Sequence, residues 1–371
     1  MEKSIIMKCR KGFFDANPAL WFVLIYLALM AIVVLVFYDR FNFEGANMFT
    51  FLWTYIALLT AHTIVNWNRH AVFLKKRALK EILKSYGHAT YQYIPYLLIA
   101  VVYEHIFIYR NAFNDIFHSV DLKLMHLDEL LFSVQPTIWM EKITFPVAVD
   151  YFMVAYALFL IYPYFYLVYL YQKNQLPVMH KAMLAQILSL FVALTMFITL
   201  PAKGPRYTFD PQNGTEFKGE NLPAYSIPLK GVQSNLLENW TGKPSLFRLQ
   251  YDFWNQIERI KTDCMPSMHT CLCLIVLIYA VRYRNIFKYK KFSMWFWIVG
   301  NVSLIFSTVY LRYHWVVDVM AGAALAVIMY YLTEYIYDYW LKKRAECGYG
   351  APNVDWFSRV EKLKNQDADN S

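Results

Sequence analysis

The fold class this sequence predicts is an all-α, polytopic bundle of transmembrane helices, on three observations. The chain is 58% hydrophobic and 19% aromatic but only 17% charged, where a soluble chain carries about 25% charge. Apolar runs long enough to cross hydrocarbon, which takes roughly 20 helical residues, recur eight times. Lys and Arg gather in alternate connecting segments, as they do on the cytoplasmic side of membrane proteins. The net charge of +9 is therefore assigned to loops meeting anionic lipid, and no nucleic-acid partner is expected.

Taken in order, the first span covers 18–38 behind a basic leader (Lys3, Lys8, Arg10, Lys11). It is too long for a signal-peptide core and lacks a small-residue cleavage site, so it reads as an uncleaved anchor. A second span at 48–67 and the basic segment 69–84 complete an N-terminal region, 1–90. The third span, 91–109, opens a core expected to run to 337. Within it, Phe113, Ile116, Phe117, Val120, Leu124, Leu127 and Leu131 recur at helical spacing. Asp115, Asp121, Asp128 and Glu129 lie between them, which reads as amphipathic helix in the interface plane. Spans follow at 146–171, 183–201, 266–281, 292–311 and 315–337, with a long loop at 202–265 and a polar tail, 338–371, expected to be disordered. Prolines 205, 211, 223, 228 and 244 stiffen the loop, whose length suggests a cover over a site.

Placing both ends in the cytoplasm puts 4, 6, 2, 5 and 6 Lys or Arg in the inner segments and leaves 13 of 36 outside, eight of those in the long loop. This orientation sets Glu104, His105, Asp150, His269, His314 and Asp318 in one outer or luminal layer. Ionisable groups inside a bilayer are costly and mark sites. The 30 Tyr and 11 Trp are mostly interface belt and core. Five cysteines show no metal-ligand spacing, and Cys264 carries no assigned role.

Two histidines stand at span boundaries, in Pro266-Ser267-Met268-His269 and in Tyr310-Leu311-Arg312-Tyr313-His314-Trp315-Val316-Val317-Asp318. His314 and Asp318 are four residues apart, so on a helix they share a face and the carboxylate can orient the imidazole. That pattern suits an activated histidine nucleophile with a separate acid/base histidine. Lys203-Gly204-Pro205-Arg206 ends the fifth span.

These segments resemble the three motifs of the type 2 phosphatidic acid phosphatase superfamily. The Ser307-Thr308-Val309-Tyr310-Leu311 lead-in and Leu127 to Trp139 look most like the branch containing inositol phosphorylceramide synthases. The resemblance covers about 91–337, a six-span core. It implies His314 as nucleophile, Asp318 as its orienting carboxylate and His269 as acid/base. Lys203, Arg206, Ser267 and Arg312 are implied for phosphate binding, with no metal or cofactor. Two departures stand out. Only two residues separate Lys203 from Arg206 where the family has six, and Thr308 occupies the third motif's usual Arg position. The implied activity is transfer of a phospho-head group from one membrane lipid to a ceramide-like acceptor. Hydrolysis of a lipid phosphate is the alternative. A transporter using the ionisable layer is disfavoured because the inner halves of the spans are almost purely apolar.

Overall fold

Asn17 opens the first helix by accepting a hydrogen bond from Ala19 N (3.0 Å), with Pro18 at the first helical position. In the computed structural model, which describes residues 13–44, 49–160, 162–209 and 262–369, α1 (Pro18–Val36) is followed by α2 (Phe49–Lys75) and α3 (Leu79–Ala112). The short α4 (Asp121–Phe132) precedes α5 (Pro146–Ala157) and α6 (Tyr162–Gln172). Then come α7 (Leu176–Thr199), α8 (Met268–Arg282), α9 (Lys290–Tyr310), α10 (Val316–Glu346) and α11 (Asp355–Asp369). The all-α expectation holds. Among the described residues the extended backbone amounts to one parallel bridge, Ala202 with Asp263.

Among the described residues, five helices (α1, α3, α7, α9, α10) are long and apolar enough to cross a membrane. The expected 146–171 span is broken into α5 and α6, inclined by 51°, and counts as a sixth. Two of the eight expected spans fall short of that test. The α2 helix continues into polar sequence (His62, Asn66, Asn68, Arg69, His70), and α8 has only 15 residues. The basic leader and most of the long loop, including its reading as a cover, lie outside the described residues.

Helix α7 is the hub, packing against α1, α3, α6, α8 and α10. Ala182, Ala185, Ser189 and Ala193 are fully buried along it, letting neighbouring backbones approach closely. Lys181, expected in a connecting segment, sits inside α7 with its ammonium 2.9 Å from both Glu334 and Asp338 of α10. Arg282 of α8 joins the same carboxylate, 3.2 Å from Glu334.

The C-terminal segment is not the loose tail its polarity predicts. Helix α10 runs on to Glu346, and α11 docks against α2 and α3. One apolar stripe (Trp356, Phe357, Val360) is buried, Trp356 Nε1 donates to Tyr171 Oη (3.0 Å), and Arg359 pairs with Glu81 (2.7 Å). Averaging over the segment's charge concealed this amphipathic face. Trp356→Ala is expected to cost about 3 kcal/mol or more, read as a lowered unfolding temperature in detergent. Arg344 donates to the carbonyls of Phe14 and Asp15 (3.1 and 2.7 Å). The start of the described chain therefore meets the end of α10, and α11 meets the 69–84 segment. Helix α7 leads from that end of the bundle to the Lys203 motif at the other.

Candidate active site

The third motif is built as a corner between two helices. Arg312 adopts a left-handed conformation (φ 62°) two residues beyond Tyr310, the last residue of α9. This lets Tyr313 N donate to Thr308 O (2.8 Å) and Arg312 N to Val309 O (3.0 Å), the paired bonds of a Schellman ending. His314 N also donates to Thr308 O (3.0 Å), so Thr308 fixes the corner through its carbonyl. Two residues later α10 begins, with Asp318 in its first turn. The pairing of His314 with Asp318 was expected on one helical face. It arises instead across a helix N-terminus, because His314 precedes α10.

In the second motif Ser267 caps α8, its Oγ accepting from Thr270 N (3.3 Å), which places His269 in the first turn. Ser267 N donates to Asp318 O (3.1 Å), and Gly322 of α10 lies against the Ser267 carbonyl, where a side-chain methyl would overlap it. The first motif turns at Gly204 (φ 82°), packed on Tyr313 O, and Arg206 N donates to Arg312 O (2.8 Å). Cys264 N donates to Ala202 O (3.0 Å), so the two ends of the long loop are tied together beside the histidines.

The imidazoles meet. His269 Nδ1 lies 3.1 Å from His314 Nε2, and His314 Nδ1 lies 3.1 Å from Asp318 Oδ2. His314 and Asp318 are buried, and His269 is half-buried between the rings of Tyr156 (4.5 Å between centroids) and Phe159 (4.0 Å). With Asp318 accepting at Nδ1, the lone pair of His314 belongs to Nε2, the atom facing His269. An imidazole so held can attack an electrophile at Nε2 while its neighbour carries the proton.

Of the four residues expected to bind phosphate, Arg206 is buried, its guanidinium over the rings of Tyr207 (4.9 Å) and Tyr313 (5.0 Å). Lys203 is half-buried beside it. Ser267 is fully buried as the helix cap. Arg312 is turned away, forming an ion pair with Glu141, and burial pushes its pKa down to about 10. Glu104 lines a cavity that reaches His269. His105 Nδ1 bonds back to Val101 O (2.8 Å), and Asp150 is half-buried elsewhere on α5.

Sequence reasoning missed three residues. Cys264, given no role, is buried with its thiol donating to Asp318 Oδ2 (2.7 Å) and lying 3.3 Å from His314 Nδ1. Cys264, His314 and Asp318 together have the donor types of a metal site. Asp318 Oδ2, His314 Nδ1 and the Cys264 thiol also form a hydrogen-bonded cluster. Burial raises the Cys264 pKa well above that of an ordinary thiol, with Asp318 and Asp121 adding to the effect. The thiolate is the reactive form, so Cys264 is expected to resist iodoacetamide at pH 8 in the folded protein and to react once unfolded. Mass spectrometry of the 262–282 region checks this.

The other two are Asp121 and Asp128, assigned from their polarity to the gaps in the apolar pattern. Both are fully buried. Asp121 accepts from Lys203 N (2.8 Å), Gly204 N (2.8 Å), Trp315 Nε1 (3.0 Å) and Ser119 Oγ (2.6 Å). Asp128 accepts from Val316 N and Val317 N (both 2.9 Å), capping α10 from another helix and satisfying N–H groups that α10 cannot pair itself. Burial raises the Asp128 pKa to about 6 against the lowering effect of those two N–H groups. The face of α4 that points outward carries Leu127, Leu130 and Leu131. Helix α4 is amphipathic as expected, with its polar edge turned into the protein. The signal was available: Asp121, Leu124, Met125 and Asp128 follow the i, i+3, i+4, i+7 spacing of one buried stripe.

No curated protein and no solved structure matches the chain. A family model described as the PAP2 superfamily matches residues 122–332, more than half of the 371 residues, from the second residue of α4 into α10. The matched segment contains both imidazoles and Asp318, and it begins well inside the 91–337 core expected from the motifs. This multi-pass helical membrane protein therefore belongs to the PAP2 superfamily of phosphatases and phosphotransferases.

Proposed function

We propose that the protein transfers a phospho-head group between membrane lipids through a phosphorylated His314. The observation carrying this reading is the contact between His269 Nδ1 and His314 Nε2 (3.1 Å), backed by Asp318. His314 Nε2 attacks the phosphorus of a lipid phosphodiester, Asp318 stabilises the imidazolium that forms, and His269 protonates the departing alcohol. In the second half His269 removes the proton of the acceptor hydroxyl, whose oxygen displaces His314. Charge on the equatorial oxygens is the main barrier in such transfers. Arg206 and Lys203 are the cations assigned to it, and Ser267 with the N–H groups at the start of α8 can add donors. The Arg312 charge is already engaged by Glu141, so its part is to shape the turn.

The reading extends to a ceramide-like acceptor and an inositol-phosphate-like head group. It is supported by the third-motif lead-in and by the Leu127 to Trp139 segment. We place both termini in the cytoplasm and the imidazoles at the outer or luminal face. The basic 69–84 segment and the chain ends gather at one end of the bundle and the motifs at the other. The test incubates the purified full-length protein with a head-group-labelled phospholipid, with and without ceramide. A labelled ceramide product is expected. Free phosphate or free phospho-head group as the sole product would establish hydrolysis instead.

A further inference from the structure

A cavity of about 520 Å³ reaches His269, and α2 and α3, which precede the family match, supply one of its walls. Its size is that of a small-molecule site. Ala57 and Ala61 of α2 and Ala100 of α3 leave the room, and aromatic and aliphatic side chains supply the walls. Its polar end is different in kind. Glu104, Asp263 and Tyr103 gather beside His269, with Tyr103 Oη donating to Asp263 Oδ2 (2.6 Å). Neither Arg206, Lys203 nor His314 lines it, and its described lining contains no Lys or Arg.

That charge pattern selects the occupant. A lipid phosphate placed here would face two carboxylates with no Lys or Arg among the described lining residues, and like charges at close range repel strongly. A hydroxyl or amide N–H would instead find acceptors, and a hydrocarbon chain would find the apolar walls. The acid/base imidazole is the group that an alcohol must touch.

We propose that this cavity binds a neutral lipid alcohol, with its chain between α2 and α3, its hydroxyl at His269 and a second hydrogen-bond donor at Asp263 and Glu104. The proposal rests on the transfer reading above and names where the acceptor sits. The acceptor O–H proton passes to His269, the new P–O bond forms, and the P–Nε2 bond breaks with its electron pair returning to His314. No other reactant is needed. Acceptor choice then resides partly in α2 and α3, before residue 122, while the phosphate chemistry resides in the matched segment.

The test uses the full-length protein in phosphatidylcholine nanodiscs with an N-acyl amino alcohol carrying a diazirine in its chain. Irradiation is expected to label the segments around 57–61 and 96–104, in the wild type and equally in His314→Ala. Either Ala61→Phe or Ala100→Phe is expected to reduce that labelling at least tenfold. Each should also lower transfer to an 18-carbon acceptor at least tenfold relative to a 6-carbon one. Labelling elsewhere, labelling unaffected by both substitutions, or preferential labelling of these segments by a diazirine phosphodiester lipid would overturn the proposal. Equal loss of transfer at both chain lengths would also count against it. Because His314→Ala cannot turn over, labelling that persists without any transfer by the wild type would sink the transfer reading and leave the cavity assignment standing.

Discussion

His314→Ala is expected to lower turnover by at least about four orders of magnitude, the usual consequence of removing a covalent nucleophile. The fold should survive it. The backbone N–H of His314 is bonded to Thr308 O, which alanine retains. Asp318 keeps the Cys264 thiol as a donor after the imidazole is gone. The expected unfolding temperature is therefore close to that of the wild type, measured alongside head-group transfer in the same preparation. His269→Ala separates the half-reactions. The nucleophile and its carboxylate remain, so a radiolabelled donor should leave label on the protein slowly or not at all, and transfer should fall by a similar order. Turnover near the wild-type rate in either variant would remove that histidine from the mechanism.

The second large effect is expected at Asp121, which never touches the imidazoles. Asp121→Ala leaves the backbone N–H groups of Lys203 and Gly204 and the indole N–H of Trp315 without their acceptor in a fully buried place. Each unsatisfied donor costs about 1–3 kcal/mol, so a loss on the order of 4 kcal/mol is expected. Turnover should fall as well, since the same bonds hold the first motif against the third. Asp121→Asn keeps one acceptor oxygen and should recover part of both. Thermal unfolding and transfer rate, measured for the two variants, check this. An Asp121→Ala protein that melts and turns over like the wild type would refute the clamp.

How much of this was legible in the residues varies by element. The spans declared themselves by apolar length, and the two histidines by their boundary positions and by the motif words around them. The break between α5 and α6 was marked by Pro163, the second residue of α6, and was overlooked because the run is apolar on both sides of it. The clamp was hidden for a different reason. In water, Asp at 121 and 128 would label the outer face of a helix. At a membrane surface the outer face is the apolar one, so the same pattern reads inside out. Cys264 could not have been placed from its neighbours in sequence. Its partners lie 50 and 54 residues away, on the far side of α8 and α9. The α11 stripe was legible by periodicity and lost only to averaging over a charged tail.

The bridge between Ala202 and Asp263 has a consequence for how this protein can be altered. Because Ala202 and Cys264 are bonded to each other, the chain between them leaves and rejoins the bundle at nearly one point. Lengthening such a segment costs only logarithmically, about 0.6 kcal/mol per doubling. Residues added inside that interval, away from Lys203 to Arg206 and from Asp263, are therefore expected to leave Lys203 and His269 in place.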